Sequence, residues 1–151
     1  MSRIVRAGLA RAFVLGAATG LAAGCGSGGG NLAPAEAKAE VNQFALNELA
    51  EMIRFVGEEK HKAPEQLADF SKYQIGMSTG YEKVKNGEYV VVWGAPIDPA
   101  AADKVIAYEK ETPESGGYVL MQDGKTVKKM TADEFKAAPK APGKVAAPAK
   151  K

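Results

Sequence analysis

The spacing of apolar residues changes character partway along the 151-residue chain. Between Ala35 and Val56, Val41, Phe44, Ala45, Leu49, Met52, Ile53 and Val56 recur at steps of three and four. That spacing puts them on one side of a 3.6-residue period and predicts one long helix. Glu36, Glu40, Asn47, Glu48, Glu51 and Arg54 fall mostly between them. Gly57 marks the expected end, and Pro64 opens a short helical turn, PEQLADF, with proline at a favourable first position. The stripe lacks the sustained heptads of a coiled coil.

After Phe70 the pattern shortens to strand-like runs. YEKVK and EYVVVW flank Asn86-Gly87, a pair that accepts positive φ and predicts a hairpin. EYVVVW is nearly continuous in apolar residues, as a central strand would be, and Gly94, Pro96 and Pro99 end it. DKVIAYE reads as a third strand, and GYVLMQ with KTVKKM as a second hairpin around Asp123-Gly124. Thr131 and Glu134 have the spacing of a capping box, which predicts a last short helix at ADEF. One long helix followed by an antiparallel meander is an α+β domain, with the helix packed across one sheet face. About 100 residues suffice for one core of that kind.

Composition adds two flanking segments. Arg3, Arg6 and Arg11 make the start basic, and Ala12 to Ala23 is apolar or small apart from Thr19. A positive start, a short apolar run and a small-residue exit are the parts of a secretory signal. The run is shorter than the roughly 20 residues that a membrane span needs. At the other end, AAPKAPGKVAAPAKK is Ala/Pro/Lys low complexity, and a basic tail disordered from Ala137 to Lys151 is expected. Setting aside the three signal arginines and the lysines after Pro139 leaves 13 basic against 18 acidic residues. A nucleic-acid binder carries the opposite sign on its folded part, so no nucleic-acid partner is expected.

The single cysteine follows the apolar run directly. Leu21-Ala22-Ala23-Gly24-Cys25 resembles a bacterial lipobox, with Ala22 where leucine is commonest. The resemblance implies cleavage before Cys25, a diacylglycerol on its thiol and an acyl chain on the new amino group. A lone free thiol in an exported protein invites oxidation, which acylation prevents. Each buried methylene contributes about 0.8 kcal/mol, so two or three chains hold firmly where one does not. Gly26-Ser27-Gly28-Gly29-Gly30 is flexible spacer chain, and no Gly-Lys-Ser/Thr follows to make it a phosphate loop. Gly26 stands where an aspartate would retain some lipoproteins at the inner membrane. The expectation is therefore an exported, palmitate-bearing protein on the periplasmic face, at the outer rather than the inner membrane.

Three stretches carry a second resemblance: LNELAEMIRFVGEEKHKAPEQLADF, EYVVVWGAP and VIAYEKETPESGGYVLMQDGKTVKKMTADEF. Together they resemble the globular part of pseudopilin-like proteins, closest to planctomycete-type members that end in a His-x9-Asp-Gly motif. The matching positions are Tyr108, Glu109, Lys110, Gly116, Gly117, Asp123 and Gly124, while Ser115 stands before the paired glycines and the motif's histidine is missing. The resemblance implies an N-terminal helix laid on a small antiparallel sheet. A lipobox and glycine linker replace the long assembly helix, so fibre assembly is not implied. The expected organisation is a signal peptide over 1–24, lipidated Cys25 and linker over 25–34, a pseudopilin-like domain over 35–136 and the tail over 137–151.

Candidate chemistry is sparse. His61, the one histidine, lies between Lys60 and Lys62, where a solvated role is the commoner one. No serine has an obvious base nearby, and Cys/His zinc ligands are lacking. Asp98, Asp103, Glu109, Glu111, Glu114 and Asp123 could meet where strands turn, with Asp98, Asp103 and Asp123 as calcium candidates, a metal some pseudopilins bind. No EF-hand spacing supports this, and no cofactor beyond the acyl chains is expected. Trp93, Tyr89, Tyr108 and Tyr118 sit among valines, as core or cross-strand residues do. These features point to a non-catalytic, lipid-anchored envelope protein that contacts another envelope protein or a wall polymer. The alternatives are an accessory of a type II secretion or pilus-like system, and an enzyme with a carboxylate site.

Overall fold

The structure is a computed structural model that describes residues 33–145. Helix α1 spans Pro34–Lys60, a 3-10 helix spans Leu67–Tyr73, and α2 spans Ser78–Lys85. Strands β1 (Tyr89–Trp93) and β2 (Val105–Glu109) follow, then the one-turn helix α3 (Thr112–Ser115). The chain continues through β3 (Gly117–Met121), β4 (Val127–Met130), α4 (Ala132–Ala137) and β5 (Lys144–Val145). Among the described residues the strands form one antiparallel sheet in the order β4-β3-β2-β1-β5. The α+β class and the long N-terminal helix are thus as expected.

Helix α1 starts at Pro34, whose missing N–H costs nothing in a first turn. Its buried stripe is Ala45, Leu46, Leu49, Ala50, Met52, Ile53 and Val56, which joins Val91, Trp93, Ile106, Leu120 and Phe70 in the main core. A smaller core of Val105, Val119, Met121, Met130 and Phe135 is held apart from it. Residues 105 and 106, like 119 and 120, are buried side by side in sequence but divided between the two cores. Alternation along a strand sends neighbours to opposite faces, so the sheet is buried on both. Phe135 of α4, packed against Tyr108 at 4.6 Å between ring centroids with the rings tilted by 53°, belongs to this second layer. Thr131 caps α4 as its spacing predicts: its hydroxyl accepts from Glu134 N–H at 3.2 Å, and the Glu134 carboxylate accepts from Thr131 N–H at 2.8 Å.

Several expectations are corrected. Helix α1 does not stop at Gly57 but continues to Lys60 and ends at His61, which adopts φ 52° in the left-handed region. Pro64 lies before the 3-10 helix, which begins at Leu67. YEKVK is the end of α2 rather than a strand, because Tyr81 and Val84 are three apart and both pack on the core. Asn86-Gly87 ends that helix, with Gly87 at φ 71° and Glu88 N–H donating to Lys83 C=O at 2.9 Å. Strand β1 is interior, as EYVVVW predicts, paired with β2 on one side and β5 on the other, and β2 is the third of the five strands.

The tail assignment also changes. Pro139–Ala141 runs beside the start of β2: Val105 N–H donates to Pro139 C=O at 2.9 Å, and Ala141 N–H donates to Val105 C=O at 2.8 Å. Strand β5 then pairs with Val92 and Trp93. Lys140 donates to the carbonyls of Phe135 (2.6 Å) and Ala138 (2.7 Å), satisfying the C-terminal end of α4. Burial holds its ammonium below the usual lysine range. The segment expected to be disordered from Ala137 is therefore ordered through Val145; 146–151 lie outside the described residues.

Candidate functional site

Helix α1 presents more apolar surface than the sheet covers. Its buried stripe faces the core through Ala45, Leu46 and Leu49, while Val41 and Phe44, three residues apart, fall on a flank. Phe44 is 56% exposed and Val41 48%, although periodicity placed both in the core. The chain between the 3-10 helix and α2 carries Ile75, 97% exposed. Gly76 and Met77, next to Ile75, share a groove of about 520 Å³ with Phe44, Asn47 and Glu51. The Gly124–Lys125 turn closes one side of that groove.

Hydrogen bonds join α1 to the segments on the far side of the groove. Glu48 on α1 accepts from Gly80 N–H at 2.7 Å, placing a carboxylate at the first turn of α2, whose own N-cap residue, Met77, makes no side-chain cap. Gly80 is required there, since a Cβ would stand 2.8 Å from Ala45 C=O. At the other end of α1, Lys60 pairs with Asp69 at 2.6 Å, and Glu65 N–H donates to the same carboxylate at 2.8 Å. The Lys60 hydrogen bond, joined by the amides of Glu65 and Gln66, holds Asp69 below the usual carboxylate range. Lys72, then Tyr73, does the same for Glu59. These contacts tie the 3-10 helix, and hence the loop bearing Ile75, to α1.

The four glycine and aspartate positions of the sequence motif have local structural reasons. Gly116 sits at φ 75°, and a Cβ there would lie 2.7 Å from Met130 C=O. A Cβ on Gly117 would collide with the Glu109 carboxylate and stand 2.7 Å from Thr112 Oγ1. That opening lets Glu109 on β2 accept from Tyr118 N–H at 2.8 Å while also accepting from the Asn42 side-chain amide of α1. Tyr89 donates to Asn42 C=O at 2.8 Å, so helix and sheet are joined through one polar cluster. Burial, with the charges of Glu109 and Glu88, pushes the Tyr89 hydroxyl well above the usual tyrosine range. Asp123 folds back on its own turn, accepting from Lys125 N–H (3.0 Å), Thr126 N–H (2.9 Å) and Thr126 Oγ1 (2.6 Å). Gly124 completes the turn at φ 69°, packed on Ile97.

The remaining candidates are dispersed. Asp98 accepts from Ala100 N–H at 3.0 Å in its own loop, and Asp103 is exposed. Among the described residues no three His, Cys, Asp or Glu side chains gather as a metal ion would require. His61 is exposed at the end of α1. Trp93 and Tyr89 are buried in the main core, where Trp93 lies 5.4 Å from the Phe70 ring; Tyr108 and Tyr118 are half-buried. Leu21, Ala22, Ala23, Gly24 and Cys25 lie outside the described residues. No helix among the described residues is long and apolar enough to cross a membrane. Comparison with protein-family models, with curated proteins and with solved structures gave no match.

Ile75 was not singled out by the sequence, because no periodic pattern runs through YQIGMS. The one available signal is an isolated isoleucine before glycine, between two helical segments. Glu109 also had no local signal for its bridging role, since Asn42 is far from it in sequence.

Proposed function

We propose that this chain is a lipid-anchored cell-envelope protein, exported and held by acyl chains on Cys25, whose folded domain is a non-catalytic interaction module. The observation that carries the reading is the exposed apolar pair Val41 and Phe44, three residues apart on α1, with Phe44 lining the groove; Ile75 and Val145 are the other exposed large apolar side chains among the described residues. Scattered single exposed residues need no explanation, but neighbouring ones on one helix flank beside a groove mark contact surfaces. The lipobox-like exit and glycine spacer support placement at the periplasmic face, with the outer membrane favoured. The partner is another envelope protein or a wall polymer.

The test combines labelling and crosslinking in intact cells. Palmitate is expected to enter the wild type but not Cys25→Ala, which leaves the membrane fraction. A photocrosslinking residue in place of Phe44 is expected to capture one envelope component reproducibly, and the same residue at exposed Lys129 is not. Equal palmitate entry in both proteins, or identical capture from both positions, would refute the reading. A second reading, an accessory of a type II secretion or pilus-like system, is supported by the order of a long helix followed by an antiparallel sheet. Co-purification with a pseudopilin distinguishes it from the first.

A further inference from the structure

Gly57 has a place in α1 that neither helix formation nor packing explains. A glycine inside a helix costs roughly 1 kcal/mol relative to alanine. At Gly80, Gly116 and Gly117 a close neighbour forbids a side chain, whereas a Cβ on Gly57 would meet nothing within 4 Å. Its φ is not in the left-handed region either, and the helix continues past it for three residues. The space it leaves open is a cleft of about 420 Å³ at the C-terminal end of α1.

The walls of this cleft divide by chemistry. Ile53, Pro96 and Ile97 supply an apolar side, while Arg54, His61 and Lys62 supply three basic groups. Glu58 is the one acidic residue lining it among the described residues. Arg54 and Lys62 are the permanent cations among these, and each also faces a carboxylate, Glu51 and Glu58 for Arg54 and Glu65 for Lys62. Arg54 is held in place by Glu51 and by Glu58 at 3.1 Å, and its guanidinium lies 4.6 Å above the Phe55 ring. A guanidinium has five N–H donors, so two carboxylate contacts leave others to offer a ligand. Lys62 is 3.5 Å from Glu65, and its side chain is more than half exposed. His61 occupies φ 52°, the one positive φ of a non-glycine residue among those described. Such backbone is uncommon outside glycine and here brings an imidazole to the cleft where glycine would be the easier residue.

We infer that this cleft binds a small amphiphilic anion, an aliphatic chain ending in a carboxylate, with the chain over Gly57 between Ile53 and Ile97 and the carboxylate towards Arg54 and Lys62. Apolar walls with a few convergent polar groups are the usual make-up of a small-molecule site, and the volume lies within the usual range of roughly 300–1,000 Å³. The inference is independent of the lipid anchor and of the Phe44 surface.

Amide chemical shifts of the full mature chain, titrated with octanoate below its micellar concentration, test it. Saturable shifts are expected at Gly57, His61, Ala63 and Ile97, with octanol binding at least tenfold more weakly. Gly57→Leu is expected to abolish octanoate binding while unfolding at the same or a higher temperature, because leucine is the better helix former. Lys62→Gln, at an exposed position, is expected to weaken octanoate at least threefold and leave octanol unchanged, which provides a readout should Gly57→Leu not fold. Shifts that are absent or centred on Phe44 and Ile75 would overturn the proposal. So would equal binding of octanol, or unaltered octanoate affinity in a folded Gly57→Leu or Lys62→Gln protein.

Discussion

Replacing Gly117 by alanine tests whether the Glu109 cluster joins helix to sheet. The new methyl group would occupy the position of the Glu109 carboxylate and come within 2.7 Å of Thr112 Oγ1. Glu109 cannot step aside along its strand, because β2 is in register with Tyr89 on one side and Val119 is paired with Tyr108 on the other. Its side chain must turn away, losing the Tyr118 N–H and the Asn42 amide together. Hydrogen bonds to charged groups contribute roughly 1.5–3 kcal/mol each, so the combined cost is about 3 kcal/mol after partial relaxation. With a urea m-value of about 2 kcal/mol/M, the midpoint should fall by roughly 1.5 M. Trp93, buried against Phe70, reports the transition by fluorescence, and circular dichroism provides a second probe. In a Glu109→Ala background the same substitution should cost only about 1 kcal/mol, the remainder of the Thr112 contact. A coupling above about 1.5 kcal/mol is therefore expected from the double-mutant cycle, whereas distant sites add within about 0.5 kcal/mol. A midpoint shift under about 0.3 M, or additive costs, would refute the reasoning.

Two further outcomes follow from groups already described. Of the five tyrosines, Tyr73, Tyr89 and Tyr108 are raised, burial first in each and the Glu59 hydrogen bond second for Tyr73, so the unfolded chain loses these phenolic protons first. Their contribution is complete below the ordinary tyrosine value of about 10 and is lost as pH rises above it. Phenolate absorbance should show late tyrosines ionising together with alkaline unfolding; all five titrating near pH 10 with the fold intact would contradict this. The amides of Val105 and Ala141 should exchange slowly with solvent, since each donates to backbone at the sheet end. Exchange at Ala141 as fast as in an unstructured peptide would show that the C-terminal segment is not held there.

The elements legible in the sequence were those carried by side-chain periodicity. The α1 stripe, VVVW, VIAYE, the hairpin at Asp123-Gly124 and the Thr131 cap each bury or bond a regular set of side chains. What the pattern concealed depended on direction or backbone. Phe44 and Val41 continue the apolar repeat, but periodicity alone does not say which flank of a wide stripe the sheet covers. Asn86-Gly87 offers the same positive φ to a helix end as to a hairpin, and the spacing of Tyr81 and Val84 decides for the helix. Residues 139–145 bind through their own N–H and C=O groups, so an Ala/Pro/Lys composition hides an ordered segment. The exposed apolar side chains were therefore half visible, as Phe44 and Val41 read for the core and Ile75 not read at all. The Gly57 cleft was visible only as an apparent helix stop.

The pairing of β5 with β1 sets when the domain can finish folding. The end of β1 and the start of β2 obtain partners from residues 139–145, the last part of the described chain to leave a ribosome. Loop-closure entropy must be met before such a distant pairing adds stability. A chain released only as far as Pro139 thus has its α1 core within reach but not the closed sheet end. Folding is therefore completed last at this joint: the sheet end stays open until the final strand is free to pair with β1, and closes when it does.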